Sequence, residues 1–339
     1  MKRNKIIGFF VFGCTLIYGQ STNSYASNIL PPTPETFNFS VQNTNFTNTP
    51  SGDFTYNIAL HEININNFSL PISLNYRSGV KIDDLGSNVG TSWLLNAGGV
   101  VSRVVRDMPD ELAPKRWLPS NLTFSSTEIE AIKEAALPGM YVDTEYDWFS
   151  FNVSNGFYGN FYLDQNLNPI YAGDDYIIEK IEHIMPDGKL YFEFIITDKL
   201  GNQYFFGGQR KYVEETTIMT SNNSGNNEPN PKPQSATGWF LHRIKTSSGT
   251  DILLDYDTDS YDFFSNVDSS LNVDQECACN GGNGLQYKTS IIDSKTLSSI
   301  TGSRLKSIST DKERILFIYN KKRNDVTGSI AGLLTAVEL

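Results

Sequence analysis

Cysteine is nearly absent: three occur among 339 residues, at Cys14, Cys277 and Cys279. Cys277 and Cys279 stand one residue apart, so a bond between them would close a very small, strained ring, and no disulfide framework can be built. Histidine is as scarce, and His61, His183 and His242 show no metal-ligand spacing. Cations are outnumbered, with 27 Lys and Arg against 38 Asp and Glu. That excludes an electrostatic nucleic-acid binder, because neutralising phosphates needs clustered cations. The chain also lacks a nucleophile elbow, a phosphate-binding loop and a zinc-protease helix, and Ser, His and Asp occur without triad spacing. No residue carries a catalytic assignment.

What is present points to a folded, exported, β-rich chain. Hydrophobic residues make up 39% and charged ones 19%, too apolar and too weakly charged for disorder. Lys2, Arg3 and Lys5 precede an apolar run at 6–18, which has the length of a signal peptide and is too short to span a bilayer. Cleavage is expected after Gly19, with Ala26 as the later alternative. The mature chain, more acidic by three charges, is then expected to be extracellular or associated with the cell surface or outer membrane, with no membrane insertion after cleavage. Val11-Phe12-Gly13-Cys14 loosely fits a lipoprotein box, but the apolar stretch continues past the cysteine. Residues 20–52, rich in Thr, Asn, Pro and Ser, read as an extended leader, and 53–339 as one β-rich region.

The surplus of Thr, Ser, Asn, Tyr and Phe favours strands. Period-two alternation predicts strands at 54–60, 70–76, 89–95, 100–105, 148–153, 159–163, 176–183, 190–197, 203–206, 239–246, 251–256, 304–309 and 314–319. Asp187-Gly188, Leu200-Gly201-Asn202 and Ser248-Gly249 supply turns between them. One short helix is expected at 126–137, where Ser125 and Glu128 have capping-box spacing and Pro138-Gly139 ends the run. Polar stretches at 220–237 and 265–284 read as loops projecting from the sheet. The fold class is mainly β, an antiparallel meander or spiralling sheet in which weakly similar hairpin units extend one another.

Certain residues resemble a family. Ser69-Leu70-Pro71-Ile72-Ser73-Leu74-Asn75-Tyr76 and the run from Val89 through Trp93, Asn96, Gly98 and Gly99 to Arg103 resemble the start of exported Rhs/YD-repeat proteins and related insecticidal-toxin and SpvB-type N-terminal regions. The stretches around Trp148, Gly201 and Trp239 resemble the same pre-repeat region. The resemblance implies a structural, non-catalytic β-shell component whose partners are the rest of a longer Rhs-like chain or an enclosed effector. It implies structural roles for Trp93, Asn96, Gly98, Gly99, Trp148, Gly201 and Trp239. The sequence departs from that family in having no clear run of YD repeats, no signature marking a shell's end and no separate C-terminal effector. From the apolar stretch 331–339, with no closing polar tail, a truncated longer product is expected.

No cofactor is expected. Calcium has weak candidates in Asp255, Asp257 and Asp259, but an EF-hand loop starting at Asp255 would need Gly and Glu where Ser260 and Asn266 stand. The alternative function is a surface adhesin or carbohydrate-binding module, with Tyr, Trp and Asn forming a stacking face. A hydrolase with dispersed residues is a third, more distant reading.

Overall fold

The computed structural model describes residues 29–30, 36, 54–78, 85–106, 108–112, 125–135, 145–222, 230–231, 234–277, 285–328 and 331–339. The export segment, Cys14, Asp83, Asp84, Pro138, Gly139 and Cys279 lie outside the described residues. The chain is mainly β, every strand pair is antiparallel, and one α-helix is present among the described residues.

Strand β1 (Ile29–Leu30) lies in the leader and pairs with a later strand. Strands β2 (Thr55–Ile65), β3 (Phe68–Arg77) and β4 (Trp93–Asn96) form a three-stranded sheet. The β2–β3 turn passes through Asn66 with φ 50°, a left-handed conformation that Asn tolerates. Strand β4 is shorter than the predicted 89–95. Ser87 and Gly90 form a bridge, and Gly90 (φ 117°) and Ser92 (φ 65°) keep the backbone from extending before Trp93.

Strands β5 (Gly99–Arg106), β6 (Trp148–Val153), β7 (Tyr158–Leu163) and β8 (Pro169–Ile170) follow one another as a meander. A second run contains β9 (Tyr176–Ile184), β10 (Leu190–Asp198) and β11 (Gln203–Gly207). Strands β12 (Val213–Asn222), β13 (Asn230–Pro231) and β14 (Ser235–Lys245) come next, followed by β15 (Asp251–Cys277), β16 (Leu285–Ser309) and β17 (Arg314–Ile318). The chain ends with β18 (Lys321–Lys322), β19 (Gly332–Leu333) and β20 (Ala336–Glu338). The main sheet is not one serial meander, because β14 is a hub. Its first half pairs with β5 through Gly238–Phe240 and with β12 through Ser235–Trp239, and its second half with β11 through Leu241–Lys245 and with β15 through Arg243–Lys245. Fifteen strands join this way.

Alternation explains which faces are buried. In β10, Phe192, Phe194 and Ile196 point into the core between the less buried Glu193, Ile195 and Thr197. Phe149 and Phe151 of β6, Phe161 of β7 and Trp239 of β14 close on them, with Phe194 and Trp239 in edge contact at 5.2 Å. Helix α1 (Ser126–Ala135) begins as expected: the Glu128 N–H donates to Ser125 Oγ, and the Ser125 N–H donates to Glu128 Oε2.

The polar stretch 265–284 departs from the loop reading. Residues up to Cys277 continue β15, paired residue for residue with β16 from Leu285. Cross-strand backbone bonds organise a segment whose composition alone suggests none, and its Val267, Leu271 and Val273 alternate on one face. Likewise the described residues of 220–237 are mostly strand: β12 runs to Asn222, Asn230–Pro231 pairs with Met219–Thr220, and β14 starts at Ser235. The leader also reaches the sheet, where Ile29 and Leu30 pair with Arg106 and Val105 of β5.

Candidate functional site

The acidic series on β15 separates in space. Lys211 Nζ donates to Asp255 Oδ1 at 3.0 Å and Lys306 Nζ to Asp257 Oδ1 at 3.0 Å, both half exposed. Asp259 turns inward and is only 6% exposed. The three carboxylates therefore do not converge, and no group of three or more His, Cys, Asp or Glu among the described residues is placed to hold a metal.

Asp259 opens onto a cavity of about 80 Å³ where β4, β5, β12, β14, β15 and β16 converge, room for several waters. Its lining is mostly apolar, with Val100, Phe240, Tyr256 and Ile300 among the walls, and has a polar side that includes Asp259, Glu214, Asn88, Ser303 and Arg304. Asp259 Oδ1, Asn88 Oδ1 and Ser303 Oγ are buried there without a hydrogen-bond partner. Glu214, 4% exposed, accepts hydrogen bonds from Thr36 Oγ1 at 2.8 Å and Thr237 Oγ1 at 3.1 Å. The one guanidinium in the lining, Arg304, keeps its Nη1 4.0 Å from Asp259 Oδ1 and lies over the Tyr319 ring. Burial pushes the Asp259 carboxyl up to about 6, against the opposing pull of Arg304, Arg323 and the backbone N–H groups of Gly332 and Ser260.

That shift carries a stability consequence with a definite sign. A carboxyl raised in the folded state binds its proton more tightly than in the unfolded chain, so its contribution is most favourable at low pH and is lost as pH rises through about 6. Asp259→Asn is therefore expected to stabilise the chain at pH 7.5 by about 2 to 3 kcal/mol, shrinking towards zero at pH 4. Urea unfolding of variant and wild type at both pH values checks this, and a difference that does not change with pH would contradict it.

The other singled-out residues take structural places. Trp239 is core, 1% exposed. Trp93 is only half buried, its ring 5.2 Å from Tyr76, and Trp148 packs edge-on against Tyr162 at the surface. Asn96 ends β4, its amide reaching Ser73 Oγ. Gly98 has φ 82°, and a Cβ there would meet Leu254; at Gly99 it would come 2.9 Å from the Asn152 carbonyl, so a closely approaching strand rather than φ excludes a side chain. Gly201 completes the Asp198–Asn202 turn. The histidines all pair with glutamates: His61 with Glu313, His183 and His242 with the two oxygens of Glu193. The bond to His242, and, against the opposing effect of burial, that to His183, hold the Glu193 carboxyl below its usual range. Sequence reasoning missed Asn88, Glu214 and Ser303. Asn88 stands between Gly86 and Gly90, just before the predicted strand 89–95, while Glu214 and Ser303 are ordinary strand residues that only tertiary structure brings together.

Comparison with known proteins gives little. No protein-family model matches the chain, and no curated protein matches it. A solved structure described as "Crystal Structure of TcdB2-TccC3-TEV" is similar with a TM-score of 0.30 and 12% identity, over 86% of this chain and 12% of that one. A score this low does not establish a shared fold. No helix among the described residues is long and apolar enough to cross a membrane.

Proposed function

We propose that this chain is an exported, non-catalytic structural component that forms part of the wall of a larger β assembly, as its resemblance to the N-terminal regions of Rhs/YD-repeat proteins implies. The observation that carries the reading is the arm formed by the far ends of β15 and β16. Beyond Ser294 the outer edge of β16 has no strand partner among the described residues, and β15 has none beyond the Asp262–Thr327 bridge. Register places Phe264, Val267, Leu271, Val273 and Ile291 on one face of the arm, each more than half exposed. A lone two-stranded ribbon is marginal in water, and unpaired edges beside an apolar face are templates for further sheet. The native protein is expected to run several times heavier than 37.9 kDa, and Leu271→Asp with Ile291→Asp to dissociate it without lowering its melting temperature. A native species of single-chain mass, unchanged by these substitutions, would overturn the reading.

A second reading, a carbohydrate-binding module, is favoured by one feature. Phe54 stacks on Tyr56, Phe54 contacts Tyr76, and Tyr76 contacts Trp93, a partly exposed row of rings along β2, β3 and β4. Saturable quenching of Trp93 emission by an oligosaccharide, lost in Trp93→Leu, would support it.

A further inference from the structure

The three-stranded sheet ends on an edge that shares no residue with the β15–β16 arm. Strand β2 pairs with β3 and, among the described residues, with no strand on its other side. We propose that this edge pairs antiparallel with the same edge of a second copy of the chain, about a twofold axis at Asn57. The first ground is the direction of the backbone groups. The Ser78 N–H donates to the Phe54 carbonyl at 2.8 Å, so Phe54 turns its backbone towards β3, and the two-residue alternation of an antiparallel pair turns Tyr56 and Ile58 the same way. One step along β3, the Arg77 N–H donates away from β2 to the Ser92 carbonyl, as that alternation requires. Thr55, Asn57 and Ala59, all exposed, therefore point their N–H and C=O groups outward, and the register shift between Ala59 and His61 ends the straight edge. An axis at Asn57 sets that residue against its own image and Thr55 against Ala59, each pair exchanging two hydrogen bonds. The second ground is the side chains, whose sizes run symmetrically about Asn57: Tyr56 and Ile58 flank it, then Thr55 and Ala59, then Phe54 and Leu60. The twofold axis puts Tyr56, 54% exposed, beside Ile58 of the second copy, an aromatic and β-branched pair of the kind that stabilises sheets. The third ground is charge. Edge strands are guarded by charged side chains, and β9, also paired on one side only among the described strands, carries Glu179, Lys180 and Glu182. Residues 54–60 carry none. A charge on a self-paired strand would meet its own image or lie close to it, so this edge has nothing to repel a second copy and nothing to select a charged foreign strand.

Sedimentation velocity of the full chain carrying Leu271→Asp and Ile291→Asp, which remove the arm's apolar face, tests the proposal between about 1 and about 200 µM, the range suited to a small, largely main-chain interface. A concentration-dependent shift from one chain to two is expected, so the result stands whether or not the arm builds a wall. Asn57→Lys and Asn57→Asp, added separately, each set like charges against one another at the axis and should weaken dimerisation by about tenfold or more. An equal mixture of the two variants should restore it, because opposite charges then face each other. That recovery shows both variants to be folded, and it requires position 57 to meet its own image. A single-chain mass at every concentration would give the edge to a foreign strand or to none. That result overturns the proposal, as does dimerisation unchanged by either substitution, or a mixture that associates no more tightly than its components.

Discussion

Arg103→Met is expected to destabilise the folded chain by about 4 kcal/mol, because it removes one member of a buried ion pair and leaves the other. Arg103 is wholly buried on β5, with Nη1 2.6 Å and Nη2 3.1 Å from the Glu111 carboxylate and Nη1 3.4 Å from Asp147. Its guanidinium lies 5.3 Å from the Trp239 ring centre and 5.7 Å from that of Phe149, so cation–π contact adds to the pairing. Burial works against its charge, but Glu111 and Asp147 outweigh that and hold it firmly protonated. Methionine fills much of the volume, so the loss comes from electrostatics. Glu111, partly exposed, can turn to water; Asp147, fully buried, cannot, although it still accepts from the N–H groups of Arg106 and Asp110. The urea midpoint should fall while the m-value stays constant. Adding Asp147→Asn should recover at least 1 kcal/mol, since the amide no longer leaves a buried charge. A variant within about 1 kcal/mol of wild type would show that the pair offsets its own desolvation with nothing to spare.

Much of this architecture was legible because strands announce themselves by period two. The strands at 190–197 and 148–153 follow from spacing alone and match β10 and β6, and the Ser125–Glu128 capping box fixes the start of α1. What failed had non-local causes. The arm was hidden because Ser, Asp and Asn dominate its composition, although Val267, Leu271 and Val273 already carried the strand period. The hub role of β14 could not be read, since one strand meeting β5, β11, β12 and β15 is a matter of topology. The acidic series misled for the opposite reason: Asp255, Asp257 and Asp259 alternate in sequence, yet lysines take two and only the third turns inward. Arg103 was visible only as the last residue of a family-like run. Nothing in its neighbourhood marks it as the centre of a buried pair, because Asp147 lies 44 positions away.

Gly207→Ala is the other change expected to reach about 4 kcal/mol, for a reason that is steric rather than electrostatic. Gly207 ends β11 with φ 78°, a conformation in which any Cβ is strained. A Cβ there would also overlap Cδ1 of Trp239 and sit 2.6 Å from the Phe192 carbonyl oxygen, closer than real contacts permit. Neither neighbour can yield. Trp239 is locked among Phe149, Phe194 and Arg103, and the Phe192 carbonyl accepts the Gly208 N–H that fastens β11 back onto β10. Gly208→Ala separates the two contributions. Gly208 has the same φ of 78°, but its Cβ would meet only the side chain of Glu193, at 3.2 Å or more. That variant should therefore bear the same backbone strain, about 1 to 2 kcal/mol, with a milder contact against the Glu193 side chain in place of the overlap with Trp239. The excess in Gly207→Ala measures how tightly Trp239 is packed, and equal losses in the two variants would mean that the indole can move. Near-ultraviolet circular dichroism reads the same question directly. The Trp239 signal should change in Gly207→Ala and persist in Gly208→Ala, because only the former presses on the ring that joins β14 to the core.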